Sequence, residues 1–365
     1  MSVLAQNRGL NSTQTTLLQE YVRNTRIFRN RMSQSDNENL EGLSAIEEVE
    51  KKFDSYPQLF IGGTQVKIDL EDLDEYHTEK AERELRETPE TVQEAFKILY
   101  DLLAEEEDLY IPLEEKHLRR FLRRCKWYPK SAFKLIKRYH EFKYNHPEFY
   151  GNLIPSNERA IFTSGVLTPL PRRASDGTRV VVVEAGRKWD PKVVSLNQIF
   201  RGVMCVMEVA LTEPKTQVSG VRLVIDMDGL TLNQVTYYTP SFAAGVIEFV
   251  RCAMPGRLKG VHIINQSSIF DIVYAFFKPF LQGKLRDRIY FHGGDRSSIL
   301  SHIDAKTLPK KYGGNFDFPE EPIGEPLFQN ACIYEKYFEG KVLDLAIISP
   351  FSIEFETFEV PKISF

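Results

Sequence analysis

The chain has 365 residues, 42% hydrophobic and 27% charged, which is material for a full core and for two folded units with flexible ends. No run approaches the roughly 18 consecutive apolar residues of a membrane span, and Met1 to Arg8 lacks the charged start and apolar centre of a signal peptide. The cytosol is the expected compartment, with no nucleic-acid partner. The net charge of −4 averages two opposed segments: Asp69 to Glu115 holds eighteen acidic against four basic residues, whereas Arg119 to Lys143 holds ten basic residues and one acid, Glu141. Either helices of opposite charge pack together, or a basic face is kept for anionic partners.

Residues 1–70 are rich in Asn, Gln, Ser and Thr with only short apolar stretches, and are expected to be poorly ordered or loosely attached. From Thr88-Pro89 the pattern turns helical. Val92, Ala95, Phe96, Leu99, Leu102 and Leu103 recur at spacings of three and four behind a Thr cap with Pro in the next position. A second helix carries Leu118, Phe121 and Leu122; a third, from Ser131, carries Ala132, Leu135, Ile136, Tyr139 and Phe142 and stops before His146-Pro147. Together they predict a small helical bundle.

After Pro147 come short β-branched runs, each followed by a long helical pattern. The predicted strands are 179–184, 220–226, 260–265 and 288–292. Between the first two lies a helix with Leu196, Ile199, Phe200, Val203, Met204 and Met207 on one face, and between the next two lies Pro240 to Met254, with Phe242, Val246, Phe249 and Val250 at helical spacing. Alternating β and α elements predict an α/β domain with parallel strands. The Pro- and Glu-rich tail beyond Phe318 reads as an appendage.

Candidate chemistry is sparse. Gly-rich phosphate loops are absent after every predicted strand, so no nucleotide cofactor is implied. The histidines lack metal-ligand spacing, and Cys125, Cys205, Cys252 and Cys332 lie far apart with no Cys-x-x-Cys, against a disulfide framework or a metal site. Asp226 and Asp228 follow a strand end and His262 lies on the next strand, but Asp-Met-Asp-Gly has the composition of a turn and a strand histidine is commonly a hydrogen-bonded core residue. No catalytic residue, metal or cofactor is expected. The unusual stretch is 265–281, where Ile269, Phe270, Val273, Tyr274, Phe276, Phe277, Phe280 and Leu281 cover more than one helical face. Pro279 and Gly283 break it into pieces that could hinge, and Lys278, Lys284, Arg286 and Arg288 follow it, with Arg257 and Lys259 before the neighbouring strand. An apolar mobile element rimmed by basic residues suits a surface that docks on anionic lipid head groups.

The ordered set Arg120-Phe-Leu-Arg-Arg124, Asp176-Gly-Thr-Arg-Val180, Trp189-Asp-Pro-Lys192, Asp226-Met-Asp-Gly229, Gly260-Val-His-Ile-Ile-Asn265, Lys278-Pro-Phe-Leu281, Arg288-Ile-Tyr-Phe-His-Gly293 and Leu308-Pro-Lys-Lys-Tyr-Gly-Gly314 resembles the CRAL-TRIO lipid-binding family, in the branch of tocopherol carriers, clavesins and cellular retinaldehyde-binding protein. The resemblance implies an N-terminal three-helix bundle, then an α/β lipid-binding domain whose mixed, mainly parallel sheet floors an apolar cavity under a lid helix, here 267–285. The implied organisation is an extension at 1–70, the bundle at 71–148, the lipid-binding domain at 149–318 and a tail at 319–365. The elements around such a cavity bring Phe200, Val203, Met207, Val246, Phe249, Ile269, Val273 and Phe277 to its lining. Two cavity aromatics of the branch fall on Leu232 and Thr236, which implies an enlarged, reshaped cavity. The phosphoinositide-binding positions match Arg257, Lys259, Lys284 and Arg288. A further family arginine falls on Cys125, with Arg124 and Lys126 as neighbours able to take its place.

The function implied is an intracellular carrier, not an enzyme. It holds one isoprenoid, retinoid or tocopherol-like lipid and exchanges it at phosphoinositide-containing membranes, to which it is transiently peripheral. The alternatives are a phosphatidylinositol or phospholipid exchange protein, against which stands Gly256 in place of that group's Glu, and a protein-binding adaptor with a vestigial cavity. Protein partners stay open.

Overall fold

The computed structural model describes residues 41–106, 109, 111–319 and 323–344. Helices of eight residues or more are, in chain order, α1 (Glu41–Lys51), α2 (Glu75–Leu85), α3 (Pro89–Ala104), α4 (Glu115–Arg124), α5 (Pro129–Asn145), α6 (Leu196–Ala210), α7 (Pro240–Glu248), α8 (Phe270–Phe277), α9 (Glu325–Cys332) and α10 (Glu335–Asp344). The strands are β1 (Phe60–Ile61), β2 (Thr64–Gln65), β3 (Leu167–Pro169), β4 (Arg179–Glu184), β5 (Val221–Asp226), β6 (Leu258–Ile264) and β7 (Ile289–Gly293).

The three predicted bundle helices form as α3, α4 and α5. Thr88 caps α3 by accepting from Thr91 N at 3.3 Å, and α5 begins at Pro129, two residues before the expected start. They are joined by α2, whose inward side is Ala81 and Leu85 with the stems of His77 and Lys80. That mixed face has no apolar period, which hid the helix in the sequence.

The main sheet has the order β3-β4-β5-β6-β7, parallel except for β3, which runs antiparallel along β4 at the edge. Register places Val181, Leu223, Val261 and Ile289 side by side in one row across four strands, and Val182, Val224, His262 and Tyr290 in the next. Because successive side chains point to opposite faces, the first row belongs to the front of the sheet and the second to the back. The back packs against Ile299, Ile303, Leu308 and Tyr312, and the front forms the floor of the site. With both faces covered, β4 can be a run of four valines. Strand β6 stops at Ile264 because Asn265 turns into the left-handed region at φ 54°.

The expectation for residues 1–70 needs correction over its second half. Residues 1–40 lie outside the described residues, but Ala45, Ile46, Val49, Phe53, Leu59, Ile61 and Ile68 are buried in the main core. They pack with the other end of the chain: α1 lies against α10, and Tyr334, Tyr337 and Phe338 join the same core. Residues 323–344 of the expected tail are therefore two packed helices. Each segment alone is too poor in apolar residues to signal a core; the pair completes one.

Candidate functional site

The front of the sheet is separated from its roof by a cavity of about 230 Å³. Its floor is the row Val181, Leu223, Val261, Ile289 together with Val183, Ile225 and Ile263. One wall is α6, which presents Leu196, Ile199, Phe200, Val203 and Met207. Their spacing of three and four keeps them on one helical face. A capping box fixes where α6 starts: the Ser195 hydroxyl accepts from Gln198 N at 3.2 Å, and Gln198 Oε1 accepts from Ser195 N at 2.9 Å.

The opposite wall is α7 and the π turn Phe249–Ala253 that continues it, with Phe242, Val246, Ile247, Phe249 and Val250 facing in. The π turn carries this wall beyond Glu248 to Phe249 and Val250. The roof is α8, which lays Phe270, Val273, Tyr274 and Phe277 over the opening, and Leu281 and Leu285 from the turns after it close the far end. The outer side of the roof is also apolar: Ile272 is 45% exposed, and Phe291, 44% exposed, packs edge-on against Tyr274 at 5.1 Å.

Of the ten residues expected to line this space, seven do: Phe200, Val203, Met207, Val246, Phe249, Val273 and Phe277. Leu232, Thr236 and Ile269 do not. Leu232 is 61% exposed and Thr236 is exposed, on the short helix Leu232–Val235 and its cap. That helix is oriented by Gln234, whose buried amide donates to the carbonyls of Gly186 (2.7 Å) and Trp189 (2.6 Å), so its buried side carries Val235 and its outer side Leu232. The expected enlargement of the cavity through these two positions therefore does not arise. Ile269 is half-buried at the N-cap of α8 and packs on the core beside the cavity. Sequence reading missed Tyr238, which lines the cavity three residues beyond that short helix.

Beside the roof is a basic cluster. Arg257 and Lys259 share one carboxylate, Glu84 of α2, at 2.7 and 3.2 Å, and Arg257 also donates to the Val218 carbonyl. Glu248 on α7 pairs elsewhere, with His146 at 3.3 Å. Arg288 lies half-buried at the end of the turn Gly283–Arg288, with Lys284 exposed on the same turn.

Arg124 of α4 is within electrostatic reach of both Arg288 and Arg257. Burial first, then these two guanidinium groups, lower its affinity for its proton. Its Nε is buried without a hydrogen-bond partner among the described residues. Lys126 is exposed in a left-handed conformation, so Arg124 is the residue that joins the cluster. Beside it the Cys125 thiol is pushed up to about 11 by burial and stays neutral. The opposed charge segments are thus partly matched to each other, with Arg123 paired to Glu87 at 2.7 Å and Lys137 to Glu106 at 2.8 Å, while Arg124 and Arg288 add positive charge that Glu84 alone does not balance.

The positions considered for acid–base chemistry are structural. Asp226 accepts from Asp228 N (3.0 Å) and Asn265 Nδ2 (2.8 Å), closing the turn at Gly229. His262 shares a hydrogen bond with His292 at 3.0 Å on the back of the sheet. At Gly256 a side chain would meet Leu211 at 2.7 Å, so a Glu there would require the surroundings to shift. Among the described residues no helix is long and apolar enough to cross a membrane.

Comparison with known proteins agrees with this architecture. The CRAL/TRIO domain matches residues 163–314. The human protein named alpha-tocopherol transfer protein-like (Homo sapiens) is 33% identical over 236 residues, which cover 64% of this chain and 69% of that protein. Its mouse counterpart (Mus musculus) is 34% identical over 64% of this chain and 68% of its own length, and rat Clavesin-1 (Rattus norvegicus) is 29% identical over 65% and 67%. The CRAL/TRIO match and relatives at 33% and 34% identity, matched over two thirds of their length, place the chain in the CRAL/TRIO family.

Proposed function

We propose that the protein is a lipid carrier: it holds one hydrophobic molecule, isoprenoid, retinoid or tocopherol-like, in the cavity under α8 without covalent change, and exchanges it at phosphoinositide-containing membranes. The observation that carries the reading is the cavity itself, whose lining is apolar apart from Arg222, Tyr238 and Tyr274. Arg222 spends its guanidinium on Asp176 (2.8 Å) at the back of the sheet. Burial of apolar surface stabilises a complex by roughly 25 cal/mol per Å², so a lipid that loses about 400 Å² gains on the order of 10 kcal/mol, and its release then needs another apolar phase. The names of the tocopherol transfer-like relatives support the same class of cargo.

The apolar outer side of α8 and the cluster of Arg124, Arg257, Lys259, Lys284 and Arg288 support docking on an anionic surface. A basic residue near such a membrane contributes about 1 kcal/mol, and each 1.4 kcal/mol is a factor of ten. Lys284→Glu combined with Arg288→Glu should therefore weaken binding to vesicles containing phosphatidylinositol bisphosphate by at least about tenfold, with an unchanged melting temperature and residual salt-insensitive adsorption through the roof. Unchanged vesicle binding and lipid transfer in that variant would remove phosphoinositide from the mechanism. Mass spectrometry of an organic extract of the purified protein reads the cargo directly: a stoichiometric isoprenoid or retinoid supports the carrier, phosphatidylinositol or phosphatidylcholine replaces it with a phospholipid exchanger, and no lipid at all favours an adaptor.

A further inference from the structure

The basic cluster is closed at one end by a carboxylate from a distant part of the chain. Arg257 Nη2 and Lys259 Nζ both donate to one oxygen, Glu84 Oε2, at 2.7 and 3.2 Å. Among the described residues Glu84 is the only carboxylate in ion-pair contact with Arg124, Arg257, Lys259, Lys284 or Arg288. Lys80, one turn earlier on α2, brings a further positive charge towards the same pair and is itself held by the Asp176 carbonyl. One negative charge thus faces several positive ones, and Arg257 and Lys259, two positions apart, are kept together by sharing it.

Glu84 is lightly seated for a group so surrounded. Its side chain is 28% exposed, and the buried apolar residues of its helix are only Ala81 and Leu85. Burial opposes its charge, but the bonds from Arg257 and Lys259 hold its carboxyl below the usual carboxylate range, so at neutral pH it is an anion resting on two cations. An ion pair this near to solvent costs little to open, and opening it needs only the side chain to turn outward. A phosphomonoester carries a charge of about −1.5 to −2 and three acceptor oxygens, against one charge and two oxygens for the carboxylate. Exchange for Glu84 therefore gains charge and hydrogen bonds when the incomer is a phosphorylated inositol ring. A singly charged phosphodiester gains neither.

We propose that Glu84 is an internal competitor for the head-group site: it occupies Arg257 and Lys259 in the free protein, is displaced by the phosphomonoester groups of a phosphoinositide, and keeps the chain off membranes whose anionic lipids carry a single net charge. The inference rests on the phosphoinositide reading and adds to it a threshold set by the protein's own carboxylate.

The test titrates the full chain with vesicles containing phosphatidylinositol bisphosphate and with vesicles brought to the same surface charge by phosphatidylserine. Glu84→Gln, which keeps the shape and removes the charge, should bind the bisphosphate vesicles about tenfold more tightly than the native chain, and should acquire salt-sensitive binding to the phosphatidylserine vesicles that the native chain lacks. Glu82→Gln makes the same change of charge at an exposed position of the same helix and should alter binding by less than about threefold. A second readout uses the native chain with carbon-13-labelled glutamate: the Glu84 carboxyl should titrate below the usual range when free and at or above it once inositol trisphosphate is bound. A gain in Glu84→Gln no larger than that in Glu82→Gln, or a Glu84 carboxyl that titrates alike with and without the head group, overturns the competitor and leaves phosphoinositide docking standing. If the native chain and Glu84→Gln are both folded and both ignore the bisphosphate vesicles, the phosphoinositide reading fails and the competitor with it.

Discussion

The two faces of the five-stranded sheet are made by alternate residues of the same strands, yet one is filled and the other is not. On the back, Val182, Val224 and Ile264 pack with Ile299, Ile303, Leu308 and Tyr312 in one buried cluster, and the His262 ring stacks on Tyr290 at 5.0 Å while sharing a hydrogen bond with His292. On the front, Val181, Leu223, Val261 and Ile289 look into about 230 Å³ of space. Both faces carry β-branched residues on β4 and β5, and the back adds His262 and Tyr290 in the same row. What separates them is the cover. The segment over the back follows β7 directly and touches the strands along its length. The roof over the front is suspended from its ends, by Phe277 against Phe242 (6.4 Å) and by Phe270 and Tyr274 against Phe291 (6.1 and 5.1 Å). One face can therefore carry stability while the other carries a guest.

The largest effect expected from this contrast is on the back. Ile264 is completely buried there, and truncating such a side chain removes its transfer energy and leaves a void that close-packed neighbours fill only partly. Ile264→Ala should cost about 2–5 kcal/mol in unfolding free energy, measured from the urea midpoint at constant m-value. A loss below about 1 kcal/mol would mean that the back collapses as readily as the front and that the two faces do not differ.

How much of this was legible in the sequence follows the same division. The floor and the α6 wall were readable because strand alternation and the 3.6 period are local properties. Val203 and Met207 land in the cavity for the reason that made them a helical face in the sequence. Leu232 and Thr236 were placed wrongly because the phase of a four-residue helix is set by Gln234 reaching back to Gly186 and Trp189, a contact between residues more than forty positions apart that no period can show. The basic residues were legible one by one, but Glu84, which pairs with Arg257 and Lys259, sits about 175 positions upstream on a helix without an apolar stripe. The packed half of the N-terminal segment was hidden for a similar reason: Ile46 and Val49 find their core only against the far end of the chain.

A smaller effect on the same face comes from its histidines. Burial first, then the nearby His292 and His302, depress His262 from its ordinary value to about 3, and His292 and His302 are also lowered, chiefly by burial. A histidine that is neutral when folded and ordinary when unfolded binds a proton only in the unfolded chain between about pH 6.5 and its folded value. Its contribution to stability is therefore complete above pH 7 and is lost as the pH falls from 6.5 towards 3. Each such proton gives a slope of at most about 1.4 kcal/mol per pH unit. Urea midpoints taken at pH 7, 6 and 5 should decline, and the decline should shrink in His262→Gln. His146, between Glu148 and Glu248, acts in the opposite sense. Although burial opposes its charge, its bonds to the two carboxylates hold it at about 9, so its contribution is present below 6.5 and fades as the pH rises to 9. Midpoints that rise on acidification from 7 to 5 would show that the His146 side of the molecule, not the back of the sheet, governs the acid response.

The smallest effect on stability is expected where the sheet is open. Val203 stands on the α6 wall, half-buried and facing empty space, so a larger side chain there has somewhere to go. In a filled core the same enlargement forces neighbours off their rotamers at a cost of about 1–3 kcal/mol. Val203→Phe should instead leave the unfolding free energy within about 1 kcal/mol of the native chain, because burial of the added ring in the void offsets the strain. The enlargement has a different consequence for the guest. A ring that occupies the middle of the cavity removes the volume a polyene needs, and retinol binding should fall at least tenfold, read by quenching of the fluorescence of Trp127 and Trp189. Val182→Phe on the back, where Val182 is buried in the filled cluster, is the matching control and should destabilise by the full overpacking cost. If both substitutions destabilise equally, the front is as tightly filled as the back when the protein is in solution. If Val203→Phe folds normally and still takes up retinol undiminished, the guest does not lie between α6 and the roof, and the space between those elements is not where the lipid is carried.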